Sequence, residues 1–176
     1  LPTAVGRTIG GWLVTRDYFG PGSYRIELKM PQSVGACSAM WTFHYEEGYP
    51  GTPLYDDLIA DGLDQEGDEL NGYYAVRNHE IDIEVPTALA SNLDQEDVSY
   101  QNARFNCWRG ETTGTYTADT VAHGVNLNDG QHHEIGFDWV LDPTPKIDFF
   151  IDGVLHHTLT TNIPDIPGRL WIGVWF

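Results

Sequence analysis

The chain has 176 residues, of which 41% are hydrophobic and 12% aromatic, and its 9 basic and 26 acidic residues give a net charge of −17. This length suits one folded domain over residues 1–176, and the aromatic content with only 20% charged residues excludes a disordered chain. Because so acidic a chain repels nucleic acid and anionic lipid, we expect neither as a partner. No apolar run approaches the ~18 residues of a membrane span, and no N-terminal signal segment is recognisable.

The periodic segments are short, and the pattern of each is typical of a strand. Gly, Pro, Asn or Asp bounds every segment, as in all-β proteins. Asp152-Gly153 predicts a tight hairpin because Gly tolerates positive φ, and the polar stretch at residues 46–71 is interpreted as one extended loop. The pattern predicts an antiparallel β-sandwich or jelly roll. The predicted strands are residues 12–15, 23–30, 36–43, 80–85, 103–108, 134–139, 146–151, 154–160 and 170–176.

The segment Glu80-Ile81-Asp82-Ile83-Glu84-Val85 carries the clearest chemical signal. Side chains alternate between the two faces of a strand, so the three carboxylates share one face and the three aliphatic side chains share the other. Like charges in a row raise at least one pKa, which keeps a carboxylic acid protonated near neutral pH. Cleavage of a glycosidic bond needs this arrangement, with one carboxyl group as acid and a second as nucleophile or base. The alternative is a solvated polar face of an edge strand.

The spacing of the two glutamates favours one mechanism. Cα atoms four residues apart in a strand lie ~13 Å apart at ~3.3 Å per residue. If both side chains lean inward by about 3–4 Å on a concave sheet, the carboxyl groups come within ~5–6 Å, which matches retaining rather than inverting glycosidases. Asp82 lies between them and can share a proton.

Glu80-Ile81-Asp82-Ile83-Glu84 resembles the active-site strand of glycoside hydrolase family 16, the family of lichenases, laminarinases, agarases and xyloglucan transferases. Further segments resemble the family in the same order along nearly the whole chain, at residues 19–29, 35–41, 133–139, 147–154 and 162–175. The resemblance implies a concanavalin-like β-jelly roll with a concave, open cleft and endo-acting, retaining hydrolysis of β-glycosidic bonds. The absence of a bulge residue from the motif makes it more similar to lichenases, which cut mixed β-1,3-1,4-glucans.

By the same resemblance, Glu80 is the nucleophile, Asp82 the assisting aspartate and Glu84 the general acid/base. Asn106 and Trp108 match positions that face the sugar beside the scissile bond, and Trp175 resembles a cleft tryptophan. Trp41 and Arg25 complete the predicted substrate-binding set, and Trp139 is assigned to the core or to the cleft floor.

Three features depart from the lichenase pattern. Arg25 and Glu27 stand in the reverse order of the acidic and basic pair on the family's second strand, so the sugar contacts of that pair are not carried over. The polar stretch at residues 46–71 is longer than the lichenase connection. A strand that usually precedes Leu1 and a segment that usually follows Phe176 are missing, so we expect a family domain that is trimmed at its ends or given incompletely.

The remaining candidate ligands predict no metal site. Adjacent histidines, as in His132-His133, point to opposite faces of a strand and do not chelate together. Asp64, Glu66 and Asp68 are expected in a solvated loop, with a structural calcium site as the alternative. We expect no other cofactor. Cys37 and Cys107 are expected as two free, buried thiols, with a disulfide as the alternative.

These observations predict a monomeric, secreted, extracellular or periplasmic endo-β-glycanase that acts on a neutral β-1,3- or mixed β-1,3-1,4-glucan. The alternatives are a non-catalytic carbohydrate-binding jelly roll, a relative that acts on another β-linked polysaccharide such as a galactan, and a xyloglucan transglycosylase.

Overall fold

A computed structural model shows that the alternating segments form strands that pair antiparallel. The structure describes residues 10–31, 35–62, 64–65, 74–86, 88–89, 92–96, 101–110 and 114–175. The strands are β1 Gly11–Phe19, β2 Gly22–Leu28, β3 Cys37–Gly48, β4 Asp64–Gln65, β5 Tyr74–Pro86, β6 Ala88–Leu89, β7 Asn92–Glu96, β8 Asn102–Trp108, β9 Tyr116–Ala122, β10 His133–Val140, β11 Lys146–Ile151, β12 Val154–Leu159 and β13 Gly168–Trp175. One helix, α1 at Pro53–Ala60, follows β3 within these residues.

Two sheets form the body of the fold. The first has seven strands in the order β1-β13-β3-β5-β8-β9, with β4 paired to β5, and the second has four in the order β12-β11-β10-β2. Strands β6 and β7 pair separately. The predicted antiparallel β-sandwich is therefore confirmed.

The core lies between the inner faces of the two sheets. Phe105 from the seven-stranded sheet stacks on Phe149 from the four-stranded sheet, with ring centroids 4.7 Å apart. Both rings are fully buried, and Ile81 and Ile83 of β5 join the same cluster. Burial of these aliphatic side chains fixes the direction of their neighbours on β5, because alternate residues of a strand face opposite sides.

The Asp152-Gly153 hairpin is confirmed. Ile151 pairs with Val154 across the turn, and Asp152 and Gly153 have φ angles of 50° and 73°. Two successive positive φ values define the turn type whose twist matches antiparallel strands, and Asp and Gly tolerate them. The Asp152 carboxylate also accepts a hydrogen bond from the Glu134 amide at 2.9 Å.

The interpretation of residues 46–71 as one extended loop is wrong for its first part. Strand β3 continues to Gly48, and α1 follows, with Thr52 accepting a hydrogen bond from the Tyr55 amide at the helix N-terminus. A Cβ atom at Gly48 would lie 2.6 Å from the Tyr55 backbone, so the glycine permits this close approach. Leu58 of α1 is fully buried.

No helix in the described part of the chain has the length and apolar character needed to span a membrane.

Strand β9 was not predicted from the sequence. It pairs with β8 alone at one edge of the seven-stranded sheet. Its sequence, Tyr-Thr-Ala-Asp-Thr-Val-Ala, lacks a regular apolar alternation, because an edge strand with exposed positions buries little.

Candidate active site

Strand β5 presents Glu80, Asp82 and Glu84, here called the carboxylate row, on the outer face of the seven-stranded sheet. Ile81, Ile83 and Val85 alternate with them and are fully buried in the core. Glu80 and Glu84 are partly exposed, whereas Asp82 retains only 7% of its accessible surface. The central carboxyl group is therefore the most desolvated of the three.

Hydrogen bonds join the carboxylate row to amide groups on both sides. The Asn78 amide donates to Oε2 of Glu80 over 2.8 Å, and the Asn106 amide donates to Oε2 of Glu84 over 2.9 Å. Asp82 shares hydrogen bonds with Glu80 and with Asn106. Each glutamate is thus held by an asparagine, while Asp82 connects the two ends of the row.

Burial raises the pKa of Asp82 well above its usual value, and the charges of Glu80 and Glu84 raise it further. The hydrogen bond to Glu80 acts in the same direction, and the one from Asn106 opposes it. The protonated Asp82 carboxyl group can donate to Glu80. The row can therefore hold a proton on its central carboxyl group, next to Glu80.

We expect Asp82→Asn to stabilise the fold as the pH rises. The folded protein retains the Asp82 proton, whereas the unfolded chain releases it near pH ~3.9. The free energy of unfolding therefore falls as the pH rises from ~3.9 to the higher pKa that Asp82 has in the folded protein. The loss is about 1.4 kcal/mol for each unit by which folding raises this pKa. Asparagine mimics the protonated acid and removes this loss. Urea denaturation at a series of pH values from 4 to 8 measures the effect.

The matched control is Asp17→Asn, which changes an exposed aspartate on β1. The free energy of unfolding of the Asp82 variant should exceed that of the wild type increasingly above pH ~4, while the control follows the wild type. Parallel stability curves for all three proteins would contradict a proton held at Asp82.

The carboxylate row opens into a cavity of about 320 Å³, here called the carboxylate cavity. Its lining comprises the three carboxylates with Trp41, Arg104, Asn106 and Trp108. The structure thus brings Trp41, Asn106 and Trp108 of the predicted substrate-binding set beside the row. Asp82 pairs in register with Trp41 on one side and with Asn106 on the other, which explains their proximity.

Trp108 forms part of the wall of the carboxylate cavity. Its ring stacks on Tyr116 of β9, with centroids 4.3 Å apart and planes inclined by 22°.

Arg104, which sequence reasoning missed, lies two residues before Asn106 on the same face of β8, with Nε 3.8 Å from Oε2 of Glu84. The cavity therefore places a cation beside Glu84.

Sequence reasoning also missed an aromatic cavity of about 310 Å³ next to the carboxylate cavity, here called the tryptophan cavity. Trp12, Trp41, Phe43, Glu80 and Trp171 line it. The two cavities share Trp41 and Glu80, so they form one continuous groove.

Trp175 lies at the end of β13, but its side chain is outside the described residues, and its predicted role stays a prediction. The sequence contained a signal for Trp171. Residues 171, 173 and 175 share one face of a strand, so a cleft position for Trp175 implies one for Trp171. Trp12 could be found only from the pairing of β1 with β13.

The structure does not bring Arg25, predicted as a substrate-binding residue, to the carboxylate cavity. Strand β2 belongs to the four-stranded sheet, and Tyr24 and Ile26 pack into the core. Arg25 therefore faces the outer surface on the far side of the sandwich. There its guanidinium contacts Asp138 at 2.8 Å and lies 4.3 Å from the ring centre of Phe150.

His79 precedes the carboxylate row and faces the interior, because neighbouring residues of a strand point to opposite sides. It is 1% exposed, and its Nε2 lies 2.9 Å from the carboxylate of Glu46. Burial lowers its pKa, although the nearby acidic groups oppose this effect.

Trp139 belongs to the core, with its indole N–H donating to the Pro164 carbonyl over 2.9 Å.

The two cysteines are free, as expected, and Cys107 is fully buried whereas Cys37 is half-buried. Burial raises the pKa of the Cys37 thiol to about 12.

Across the described ranges no group of three or more His, Cys, Asp or Glu could hold a metal ion. The side chains of the calcium candidates Asp64, Glu66 and Asp68 lie outside those ranges.

Known β-glucanases are similar to this chain in sequence, although no protein-family profile matches it. A β-glucanase from Acetivibrio thermocellus is 26% identical over 162 residues, which cover 92% of this chain and 36% of the relative. A β-glucanase from Paenibacillus polymyxa is 44% identical over 65 residues, which cover 34% of this chain and 26% of the relative. The chain thus spans about a third or less of the length of each of these relatives.

Solved structures share the fold. The Bacillus licheniformis β-glucanase has a TM-score of 0.56 and 24% identity, covering 92% of this chain and 56% of its own. A glycoside hydrolase family 16 endo-glucanase from Bacteroides ovatus has a TM-score of 0.58 and 15% identity, covering 91% and 57%. A κ-carrageenase from Zobellia galactanivorans has a TM-score of 0.60 and 13% identity, covering 94% and 55%. The chain is therefore similar in sequence to known β-glucanases and shares the jelly-roll β-sandwich of a glycoside hydrolase family 16 endo-glucanase.

Proposed function

We propose that this chain is the catalytic domain of a retaining endo-β-glycanase that hydrolyses β-1,3- or mixed β-1,3-1,4-glucans. The observation that carries the proposal is the carboxylate row, which lies in an open groove with tryptophans on both sides. The relatives named β-glucanase support a glucan as the substrate.

In the first step, the Glu80 carboxylate attacks the anomeric carbon, and the bond to the leaving oxygen breaks. Glu84 gives its proton to that oxygen, so the departing sugar leaves as a neutral alcohol. A covalent ester between Glu80 and the sugar remains. The Asn78 hydrogen bond and the proton on Asp82 orient the attacking carboxylate.

In the second step, Glu84 takes a proton from water, and the water oxygen attacks the same carbon. The ester bond to Glu80 breaks and releases a sugar of the original configuration. The Arg104 side chain lies beside the carboxylate that takes this proton, with Nε 3.8 Å from Oε2 of Glu84. The two steps need only carboxyl groups and water, so we propose no cofactor.

We further propose that the protein acts as a monomer outside the cytoplasm, in a secreted, extracellular or periplasmic setting. Glucan polymers are encountered there, and the strong negative charge of the chain is compatible with a neutral polymer.

The test is product analysis on laminarin, lichenan, agarose and xyloglucan in parallel. We expect cleavage of laminarin or lichenan, with ¹H NMR detecting β-anomeric ends before mutarotation forms the α-anomer. The Glu80→Gln variant, expressed and purified in the same way, measures the activity of contaminating enzymes. Initial formation of α-anomeric ends would refute the retaining mechanism. Cleavage of agarose or xyloglucan alone would refute the proposed β-1,3- or mixed β-1,3-1,4-glucan substrate. Glucan binding without turnover would identify a carbohydrate-binding module.

A further inference from the structure

A chain of alternating acidic and basic side chains lies behind the carboxylate row, on the inner face of the seven-stranded sheet, and the two chemical steps do not use it. This inner ion network comprises Asp61, Arg77, Glu46, His79, Asp165 and Arg109. We propose that the inner ion network positions the Glu80 carboxylate for attack, with His79 as the positioning residue. This inference rests on the proposed function.

Strand alternation places the inner ion network directly behind the groove. Neighbouring residues of a strand point to opposite faces, so the His79 side chain lies behind Glu80, and Arg109 follows Trp108 at the end of β8. Glu80 pairs in register with Trp108 on one side and with Phe43 on the other. A shift of the backbone at the network therefore moves the nucleophile and the residues beside it.

His79 is the most buried member of the network, with 1% of its surface exposed. Its Nε2 lies 2.9 Å from the Glu46 carboxylate on β3, and its Nδ1 lies 3.6 Å from the Asp165 carboxylate in the loop between β12 and β13. Because burial lowers the pKa of His79, the ring is neutral at pH 7. A carboxylate only accepts hydrogen bonds, so Nε2 carries the proton. His79 thus donates to the neighbouring strand directly behind Glu80.

Charged partners hold the acceptor of this hydrogen bond in place. Arg77 contacts the Glu46 carboxylate at 3.2 Å and also pairs with Asp61, the C-terminal cap of α1. At the other end of the network, Arg109 pairs with Asp165. The network therefore joins α1, β3 and β5 to the end of β8 and to the loop before β13. Connected hydrogen bonds in a site of low dielectric stiffen the elements that they join.

The path from the network to Glu80 runs through the backbone of residues 78–80. Asn78 and Glu80 flank His79 on the opposite face of β5, and the Asn78 amide donates to Oε2 of Glu80 over 2.8 Å. Without the bond behind it, this segment can shift relative to the sugar. A displacement of about 1 Å at the reacting atoms can cost about a hundredfold in rate.

The experiment compares His79→Leu with His79→Gln, whose amide group can donate to Glu46. We expect His79→Leu to lower kcat about five- to twentyfold and to change KM less than about twofold, because sugar binding depends less than the transition state on the position of the attacking oxygen. His79→Gln should recover most of the loss. The matched control is His133→Leu, which removes a histidine 2.8 Å from the Asp152 carboxylate on the four-stranded sheet and should leave kcat unchanged. Circular dichroism selects a temperature at which every variant is folded.

Glu46→Ala tests the same hydrogen bond from its acceptor side. It should lower kcat by a similar factor, and the double variant with His79→Leu should lose no more than the worse single variant, because both changes break one bond. Losses that multiply in the double variant would overturn the proposal. An unchanged kcat in His79→Leu, or no recovery in His79→Gln, would overturn it as well.

Hydrogen exchange supplies a readout that does not depend on turnover. His79→Leu should speed exchange of the backbone amides of residues 78–82 more than that of amides in β10 and β11, and His79→Gln should stay near the wild type. A uniform rise in both sheets would show a general loss of stability and contradict a positioning role. If the wild type cleaves no glucan, the proposed function fails, and the exchange comparison still decides whether the network holds this segment.

Discussion

With Glu80 replaced by Gln, hydrolysis of the glucan is expected to fall at least about a thousand-fold in kcat while glucan affinity persists. The amide keeps the side-chain volume and retains an oxygen that accepts the Asn78 hydrogen bond, but it cannot form the ester intermediate. Reducing-end release measures kcat, and calorimetry measures binding. Glu27→Gln, which changes an exposed glutamate on the four-stranded sheet, should leave both unchanged.

A sharper form of this experiment assigns the role of Glu80 by the stereochemistry of rescue. In Glu80→Ala, azide can occupy the space left by the carboxylate and attack the anomeric carbon of a dinitrophenyl glycoside. The dinitrophenolate leaves with the bonding electrons, and the expected product is an α-glycosyl azide. Retention of substantial hydrolysis by Glu80→Gln, or formation of a β-glycosyl azide by Glu80→Ala, would exclude Glu80 as the nucleophile.

Replacing Glu84 with Ala should produce a loss that depends on the leaving group. On the natural polymer we expect kcat to fall about 10²- to 10⁴-fold, because the departing sugar alkoxide then lacks its proton donor. A dinitrophenolate needs no protonation, so the first step with that substrate should be much less affected. Rapid-mixing measurements should then show a burst of dinitrophenol as the ester on Glu80 accumulates.

Azide also identifies the acid/base residue. In Glu84→Ala, azide needs no general base, so it should accelerate breakdown of the ester on Glu80 and yield a β-glycosyl azide. Glu27→Ala, which removes an exposed carboxylate on the four-stranded sheet, is the control and should match the wild type with both kinds of substrate and with azide. If Glu84→Ala loses the same factor on both kinds of substrate and azide has no effect, Glu84 does not act as the proton donor.

Local patterns were sufficient where a property depends on neighbouring residues. The alternation in residues 80–85 predicted which side chains are buried, and Ile81, Ile83 and Val85 are fully buried. Asp152-Gly153 predicted the hairpin, because two residues set the geometry of a tight turn. Helix α1 was missed because its short apolar stripe lies within a polar stretch, and its burial depends on contact with β3 and β5.

Arg25 and Trp12 mark the limit of such patterns. Both lie on alternating segments near the N-terminus, yet Arg25 faces the far side of the sandwich and Trp12 lies in the groove. Alternation gives the relative faces of residues within one strand, but it does not say which sheet the strand joins. That choice depends on hydrogen-bonded partners far away in sequence, such as β10 for β2 and β13 for β1.

The amino-acid order alone determined the all-β class, the buried side of β5 and the common face of its three acidic side chains, since each follows from the two-residue period of an extended chain. Only the tertiary structure decided that tryptophans from β1, β3 and β13 meet beside Glu80 and that Asp82 loses its solvent. The first outcome requires pairing across more than 100 positions of the chain, and the second requires β5 to pair with β3 and β8. In both cases register rather than local preference fixes which side chains meet.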